Sequence, residues 1–319
     1  MVTPIRLSMS LYTLLGALLL ALSVSSNAAE RCAKADAVAV SWLDKMSHSV
    51  RRHSYHGVVT LQRGDDMQVI QVSHLVKRGA SSERLIQLTG QGAGVSRKAH
   101  PLECVHPGHR LLRVSEELQA GRCGLAEQYQ FRVDGAERIA GRPAVKITVE
   151  PRDMYRYGYR LALDRETGLL LKTETFAQGG KVLEKFQYAN LSYGDSVPGT
   201  TEVDVVHEAA HPHPAHGNDA RRVMRPWQVS WLPRGFTLTD ASDGESGRQS
   251  FTDGLAVFSV FLENFDREIR AGEGVVREGG TLSYTRGMRL GDQPVLVTVI
   301  GEVPINTARM VADSLSWME

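Results

Sequence analysis

A zinc-peptidase motif is the first feature of the sequence whose residue types could do chemistry. His207 and His211 flank Glu208 in HEAAH, which matches the pattern H-E-x-x-H. In metallopeptidases this motif lies on a helix, so that both histidines bind one zinc ion and the glutamate acts as general base. Pro212 follows directly and disfavours helical backbone at His211, and Pro214 stands where the extended motif needs glycine. We therefore expect no enzyme activity.

The segment around this motif has the composition of a linker. Residues 196–223 contain glycine, proline and few large apolar side chains, and His213 and His216 join the two motif histidines. We expect a solvated connection and assign no metal or cofactor. Opportunistic metal binding by the four histidines and a zinc peptidase stay open as weaker alternatives.

The N-terminus carries the pattern of a secretory signal. Arg6 is the only charge before Glu30, an apolar run follows from Leu11 to Leu22, and Ser26-Asn27-Ala28 forms a cleavage site. The alternative is an uncleaved anchor, but the run is shorter than the roughly 20 residues that a membrane span requires. We expect residues 1–28 to be removed and the exported mature chain to be soluble.

The charge balance and the cysteines limit the partners of the mature chain. Lys and Arg number 37 against 36 Asp and Glu, which gives no electrostatic reason to expect nucleic acid. In an oxidising compartment three cysteines leave one unpaired. Cys104 and Cys123 are the disulfide candidates, whereas pairings that involve Cys32 stay open.

Hydrophobic periodicity predicts a helix followed by antiparallel strands. Apolar residues recur at helical spacing from Val38 to Val50, and the period then changes to two. The clearest pattern lies between Arg142 and Tyr193, where one strand is predicted to place Tyr155, Tyr157, Tyr159, Leu161 and Leu163 on one face. A buried tyrosine must satisfy its hydroxyl, so this stripe is either the wall of an apolar ligand site or ordinary core.

Past the linker, the pattern predicts a second, smaller domain of mixed α and β structure. Asp253-Gly254 separates two apolar runs, as in a β-hairpin, and Asn306 is predicted to cap a final helix. The chain is therefore divided into a signal (1–28), a large domain (29–195), a linker (196–223) and a small domain (224–319).

Several of these segments resemble the MucB/RseB family of periplasmic sigma-factor regulators. The resemblance spans nearly the whole mature chain, although residues 90–121 and the linker match poorly. It is carried by AGRPAVKITVEPRDMYRYGYRLALDRETGLLLKTETF, WLPRGFTLT, FTDGLAVFSVF and VTVIGEVPINTARMVADSL. It implies an α+β fold, with an open, curved antiparallel half-barrel similar to LolA and LolB, helices on its concave side, and a small C-terminal α+β domain.

The resemblance also implies a function. Such a protein binds the periplasmic part of an RseA/MucA-type anti-sigma factor, shields it from site-1 proteolysis, and is released by lipopolysaccharide or another lipid. It thereby acts as a negative regulator of an extracytoplasmic-stress sigma factor. A periplasmic lipid or lipoprotein carrier is the alternative, and self-association of the chain stays open.

Two sets of residues are the candidates for these roles. An apolar face of a half-barrel suits an acyl chain, and aromatic side chains are frequent anchors of protein interfaces. The lipid-binding candidates are Tyr155, Tyr157, Tyr159, Leu161, Leu171, Phe176 and Phe186. The partner-binding candidates are Trp231, Phe236, Phe258 and Phe261.

Overall fold

The computed structural model describes two antiparallel sheets with few helices. The described residues are 36–77, 80–90, 94–101, 114–119, 123–194, 226–240, 247–264 and 272–318. The predicted signal, the HEAAH motif, the linker, Cys32 and Cys104 lie outside these residues. We use the term N-terminal lobe for the described residues up to 194 and C-terminal lobe for those from 226 onwards.

The N-terminal lobe begins with helix α1, Ala37–Arg52. Asp36 caps it, since its Oδ1 accepts hydrogen bonds from the backbone N–H groups of Val38 (2.9 Å) and Ala39 (3.4 Å). The predicted helix is therefore confirmed. Two shorter helical segments, α2 at Val114–Gln119 and a 3₁₀ turn at Gly124–Glu127, follow later in the chain.

A nine-stranded antiparallel sheet forms the body of this lobe. The strands are β1 Tyr55–Arg63, β2 Asp66–Lys77, β3 Ala80–Gln87, β4 Gly94–Pro101, β5 Tyr129–Ile139, β6 Arg142–Pro151, β7 Gly158–Asp164, β8 Leu170–Phe176 and β9 Val182–Tyr193. Their order across the sheet is β4-β3-β2-β1-β9-β8-β7-β6-β5. β5 contacts β9 although three strands lie between them, so the sheet is strongly curved. The expected open, curved antiparallel sheet is confirmed.

Two buried clusters fill the N-terminal lobe. The first, which we call the helix cluster, joins α1 to β5, β6 and β7. Its members include Leu43, Met46, Tyr129, Phe131, Ile147, Val149, Tyr159, Leu161 and Leu163. The second, which we call the tyrosine cluster, contains Tyr55, Val59, Ile139, Ala144, Ala162, Leu169, Leu171 and Tyr188, with Phe186 packed against it.

The predicted strand through the tyrosine stripe is too long. β7 begins at Gly158, and Tyr155 and Tyr157 lie in the bend between β6 and β7. The physical reason is a side-chain turn, because Asp153 Oδ1 accepts a hydrogen bond from the backbone N–H of Tyr155 at 3.0 Å. Aromatic residues alternate with other residues through Tyr155 and Tyr157, although the backbone there is not extended. The alternation alone therefore predicted too long a strand.

The C-terminal lobe is a six-stranded antiparallel sheet with one helix. The sheet order is β11 Thr237–Asp240, β12 Arg248–Thr252, β13 Val257–Asn264, β16 Gln293–Gly301, β15 Thr281–Leu290 and β14 Gly272–Glu278. β10 Trp227–Val229 pairs separately with β17 Leu315–Trp317. Helix α3, Ile305–Asp313, contributes Ala308, Val311 and Ala312 to the buried cluster of this lobe.

Two expectations for this lobe have different outcomes. The hairpin at Asp253-Gly254 is confirmed, because β12 and β13 pair antiparallel on either side of it. The cap of α3 was predicted wrongly. Pro304 occupies the cap position without a side-chain hydrogen bond, and Asn306 lies inside the first turn. Proline fixes the backbone dihedral that a helix start requires, and α3 begins two residues earlier than a cap at Asn306 would place it.

Candidate binding site at the junction of the two lobes

The bend between β6 and β7 carries the N-terminal lobe's contact with the C-terminal lobe. It contains Arg156, whose side chain is fully buried, and Tyr157, which is also buried. Arg156 Nη1 donates a hydrogen bond of 2.7 Å to Asp253 Oδ2 across the junction. Both side chains of this ion pair have no solvent exposure. A charged pair therefore lies at the centre of the contact.

Asp253 is held by both lobes at once. Tyr129 of β5 donates a hydrogen bond of 2.9 Å to the same Oδ2 atom. The other oxygen, Oδ1, accepts from the backbone N–H groups of Leu255 and Ala256, each at 2.9 Å. The carboxylate that closes the β12–β13 hairpin is thus also the anchor of the junction.

The other two nitrogens of the Arg156 guanidinium also have partners. Nε and Nη2 bind the carboxylate of Asp153 at 3.1 and 3.0 Å, and Nη2 donates to the carbonyl oxygen of Arg234 at 2.6 Å. The guanidinium carbon lies 5.2 Å from the ring centre of Phe236 and 5.5 Å from that of Tyr129. Removing two charges from water is costly, and these hydrogen bonds and ion pairs offset much of that cost.

Burial and charge both affect the hydroxyl of Tyr129. Burial raises its pKa well above the usual range, and the nearby charge of Asp253 raises it further. The phenol therefore stays protonated and remains a hydrogen-bond donor to Asp253 at all ordinary pH values.

A second group of contacts extends the junction toward α3. Tyr157 donates its hydroxyl hydrogen to the carbonyl oxygen of Val303 at 2.9 Å and accepts a hydrogen bond from Arg277 Nη1 at 2.8 Å. Thr307 of α3 donates to the carbonyl oxygen of Tyr155 at 2.8 Å. The Tyr155 ring meets Trp231 edge to face at 5.2 Å. The two tyrosines assigned to a lipid wall therefore contact the C-terminal lobe.

An ion pair connects the rim of the junction. Arg63 Nε, at the end of β1, lies 3.0 Å from Glu184 in β9, and its Nη1 lies 3.4 Å from Glu278 in β14. These side chains are partly exposed, so the contact adds little stability. It does align the end of β14 with the nine-stranded sheet.

The other lipid-binding candidates are divided among three places. Tyr159 and Leu161 belong to the helix cluster, whereas Leu171 and Phe186 belong to or pack against the tyrosine cluster. Phe176 lies apart from both, since its ring stacks under the guanidinium of Arg160 at 4.4 Å. Their role in lipid binding stays a prediction, and they do not form one continuous wall.

Phe176 lines a polar cavity of about 400 Å³ on the nine-stranded sheet. Its charged side chains pair with each other, as Arg132 does with Asp134 at 2.6 Å. The lining includes Arg132, Asp134, Thr148, Glu150, Arg160 and Phe176. Because this lining is mostly polar and charged, it suits an acyl chain poorly.

The partner-binding candidates differ in how much surface they offer. Phe236 and Phe258 are buried in the cluster of the C-terminal lobe, and Trp231 packs against that cluster. Phe261 in β13 is half-buried and lies outside the cluster. Phe261 and Trp231 are therefore the members of the set that a partner can reach.

The chemistry-bearing residues singled out in the sequence contribute little to this junction. Cys123 is disulfide-bonded, and its predicted partner Cys104 lies outside the described residues, so that pairing stays a prediction. Within the part of the chain that the structure describes, no three His, Cys, Asp or Glu side chains are grouped as metal ligands. In the same residues no helix is long and apolar enough to cross a membrane.

Sequence reasoning missed the central residues of the junction. Strict alternation along the predicted strand would place Arg156 on the face opposite the tyrosines, and the pattern around Asp253 predicts only a turn. An arginine inside an otherwise aromatic run is the one local signal that could have identified the buried ion pair.

Both lobes match known family profiles. The MucB/RseB N-terminal domain matches residues 38–207, and the MucB/RseB C-terminal domain matches residues 221–316. The chain belongs to the MucB/RseB family. These two matches confirm the family resemblance found in the sequence.

Individual relatives cover nearly the same span. The chain is 34% identical over 289 residues to the sigma factor AlgU regulatory protein MucB of Pseudomonas aeruginosa, with 87% of this chain and 90% of that protein covered. It is 24% identical over 290 residues to the sigma-E factor regulatory protein RseB of Haemophilus influenzae, with 86% and 90% covered. A crystal structure of MucB in complex with MucA(peri) has a TM-score of 0.68 at 33% identity, and covers 89% of this chain and 100% of that chain.

Proposed function

We propose that this protein is a periplasmic negative regulator of an extracytoplasmic-stress sigma factor. It binds the periplasmic part of an RseA/MucA-type anti-sigma factor and shields it from site-1 proteolysis, and lipid binding releases the partner. The observation that carries the proposal is the match of both lobes to MucB, a sigma factor regulator whose structure is known in complex with MucA(peri).

The proposal includes an organisation and a location. The signal 1–28 directs export, the large domain 29–195 and the small domain 224–319 are joined by the linker 196–223, and the mature chain works in the periplasm. No catalytic residue is assigned, because a regulator acts by binding, and HEAAH then has no part in the function.

The direct test is a titration of the mature chain against the periplasmic segment of its anti-sigma factor. Phe261→Ser should weaken binding at least about tenfold, because an accessible aromatic side chain is a typical interface anchor. Val182→Ser is the matched control, since Val182 is also apolar and is 42% exposed, but lies on β9. Absence of binding by the unaltered chain would refute the proposal.

Protection and release are tested in the same system. The bound segment should be cut by the site-1 protease more slowly than the free segment, and lipopolysaccharide should restore cleavage. Linkage requires that lipid prefers the partner-free state, so lipid affinity must fall when the partner is bound. Cleavage at an unchanged rate would remove the shielding role while leaving partner binding intact.

The tyrosine cluster is the proposed place of lipid entry. Phe186 packs against it and meets the Tyr188 ring edge to face at 5.6 Å. Phe186→Glu places a charge beside that apolar surface and should abolish lipid-induced release. Gln187→Glu, one residue further along β9, is the control. If lipid binds without displacing the segment, the carrier alternative gains support.

A further inference from the structure

Strand β14 is an exposed sheet edge. All seven of its residues are exposed, including Val275 at 45% and Val276 at 71%. One side of β14 pairs with β15, and in the described part of the chain no strand pairs with the other side. Such an edge presents unpaired N–H and C=O groups to another chain.

The other sheet edges are less suited to pairing. β11 has only four residues, β5 is interrupted by a bulge between Val133 and Ala136, and β4 ends at Pro101. Short strands, bulges, proline and charged side chains are the usual devices that protect an edge. β14 carries charges at Glu273, Arg277 and Glu278, but it has none of the first three devices and runs beside β15 in one unbroken register.

The charged residues of β14 are placed so that two antiparallel copies of the strand would bring opposite charges together. Glu273 and Arg277 lie two residues before and two residues after Val275, on the same face of the strand. We propose that two copies of this chain pair antiparallel along β14, with Val275 on the two-fold axis. Each Glu273 then lies opposite Arg277 of the other copy, and the two valines meet at the centre.

The positions of the charged side chains favour this register over the one with the two-fold axis at Val276. An axis at Val276 would place Arg277 opposite Val275 and Glu278 opposite Gly274, so that neither charge gains a partner. Directly opposed side chains of opposite charge stabilise a strand pair, whereas unpaired charges do not. The symmetric position of the two charges about Val275 is therefore the feature that identifies the occupant as a second copy.

The charged side chains already have partners that hold them near the edge. Arg309 Nη2 in α3 lies 2.8 Å from Glu273 Oε2, and Arg277 Nη1 donates to the Tyr157 hydroxyl at 2.8 Å. In the pair of copies, Glu273 would lie between Arg309 of its own chain and Arg277 of the other. A dimer formed this way is weak and concentration-dependent, because one strand pair buries little area.

Cysteine cross-linking tests the register. With the axis at Val275, the two Cα atoms of that residue lie about 5 Å apart, within disulfide range. The two copies of residue 276 are offset along the strands and lie about 8 Å apart, beyond that range. Under mild oxidation the full mature chain with Val275→Cys should form a dimer at least about tenfold faster than Val276→Cys. Peptide mass analysis must find residue 275 joined to residue 275, with the unaltered chain as background.

A charge exchange provides the second test. Glu273→Arg should weaken self-association about tenfold in sedimentation, because two attractive pairs become repulsive. Glu273→Arg with Arg277→Glu should restore it, provided that circular dichroism shows each variant folded. The proposal would be overturned if both cysteine variants cross-linked equally fast, or if the chain stayed monomeric at every concentration. It would also be overturned if the charge exchange left self-association unchanged. So would a Glu273→Arg variant that loses only anti-sigma binding, since the edge would then belong to that partner.

Discussion

The buried ion pair between Arg156 and Asp253 shows how single residues set the junction. Both side chains are fully buried, and each of their polar atoms that faces the junction has a partner. A buried pair of this kind adds little net stability over an apolar contact, but removing one member leaves a charge without compensation. The pair instead specifies a single relative arrangement of the two lobes.

We expect Arg156→Met to lower the free energy of unfolding by about 3–5 kcal/mol, because Asp253 keeps a buried charge. Urea unfolding followed by circular dichroism measures the loss. Adding Asp253→Asn should recover part of it, since the uncompensated charge is removed. Arg234→Met is the control, as the Arg234 side chain is 78% exposed and its pair with Glu127 is worth less than about 1 kcal/mol. A loss of similar size in the control would show that the buried pair has no special role.

The pairing of β1 with β9 depends on one glycine. The register shifts between Val58 and Val59, and the carbonyl oxygen of Asn190 in β9 lies only 2.3 Å from where a Cβ atom of Gly57 would stand. The contact involves backbone, so the strand itself would have to move. This is a local requirement of two elements rather than a property of one residue.

Gly57→Ala should therefore destabilise the protein by about 1–3 kcal/mol, because the added methyl group forces β9 away. Gly272→Ala is a matched control, since Gly272 also lies in a strand and has nothing within 4 Å of its Cβ position. Thermal unfolding of both variants provides the comparison. Equal melting temperatures would contradict the close approach of β1 and β9.

The elements were more predictable from the sequence than the site. Helix α1, the meander of β6 to β9 and the hairpin at Asp253-Gly254 follow from periodicity and turn residues, which are local signals. Arg156 and Asp253 are 97 residues apart in the sequence, so no local pattern reports that they meet. Tyr155 and Tyr157 were misplaced for the related reason that a side-chain turn at Asp153 ends the extended backbone while the alternation of residue types continues.

At the scale of the whole molecule, buried tyrosines connect stability to alkaline pH. Burial raises the pKa of Tyr55 to about 12, and burial also raises the pKa values of Tyr129, Tyr159 and Tyr188. Between the unfolded value near 10 and these folded values, the unfolded chain has lost protons that the folded chain keeps. Stability is therefore complete below about pH 10 and falls as the pH rises.

For Tyr55 the loss by pH 12 is about 3 kcal/mol, from two pKa units. We expect tyrosinate absorbance to rise together with the loss of circular dichroism, and tryptophan fluorescence of the C-terminal lobe to change in the same step, since Tyr129 reaches Asp253. Tyr55→Phe should make the fall with pH less steep. Tyrosinate formation from most tyrosines while the fold persists would contradict this.

The anchor at Asp253 also changes the meaning of the covalent connection between residues 194 and 226. Because buried contacts of both lobes hold them together, the connection serves mainly to raise the local concentration of one lobe near the other. If a protease cut the chain at a site engineered in this stretch, the two fragments should stay associated and co-purify as a two-chain protein. A change in the length of this stretch should then be tolerated, whereas a residue added or removed between Asp253 and Ala256 would disturb the backbone N–H groups that hold the Asp253 carboxylate.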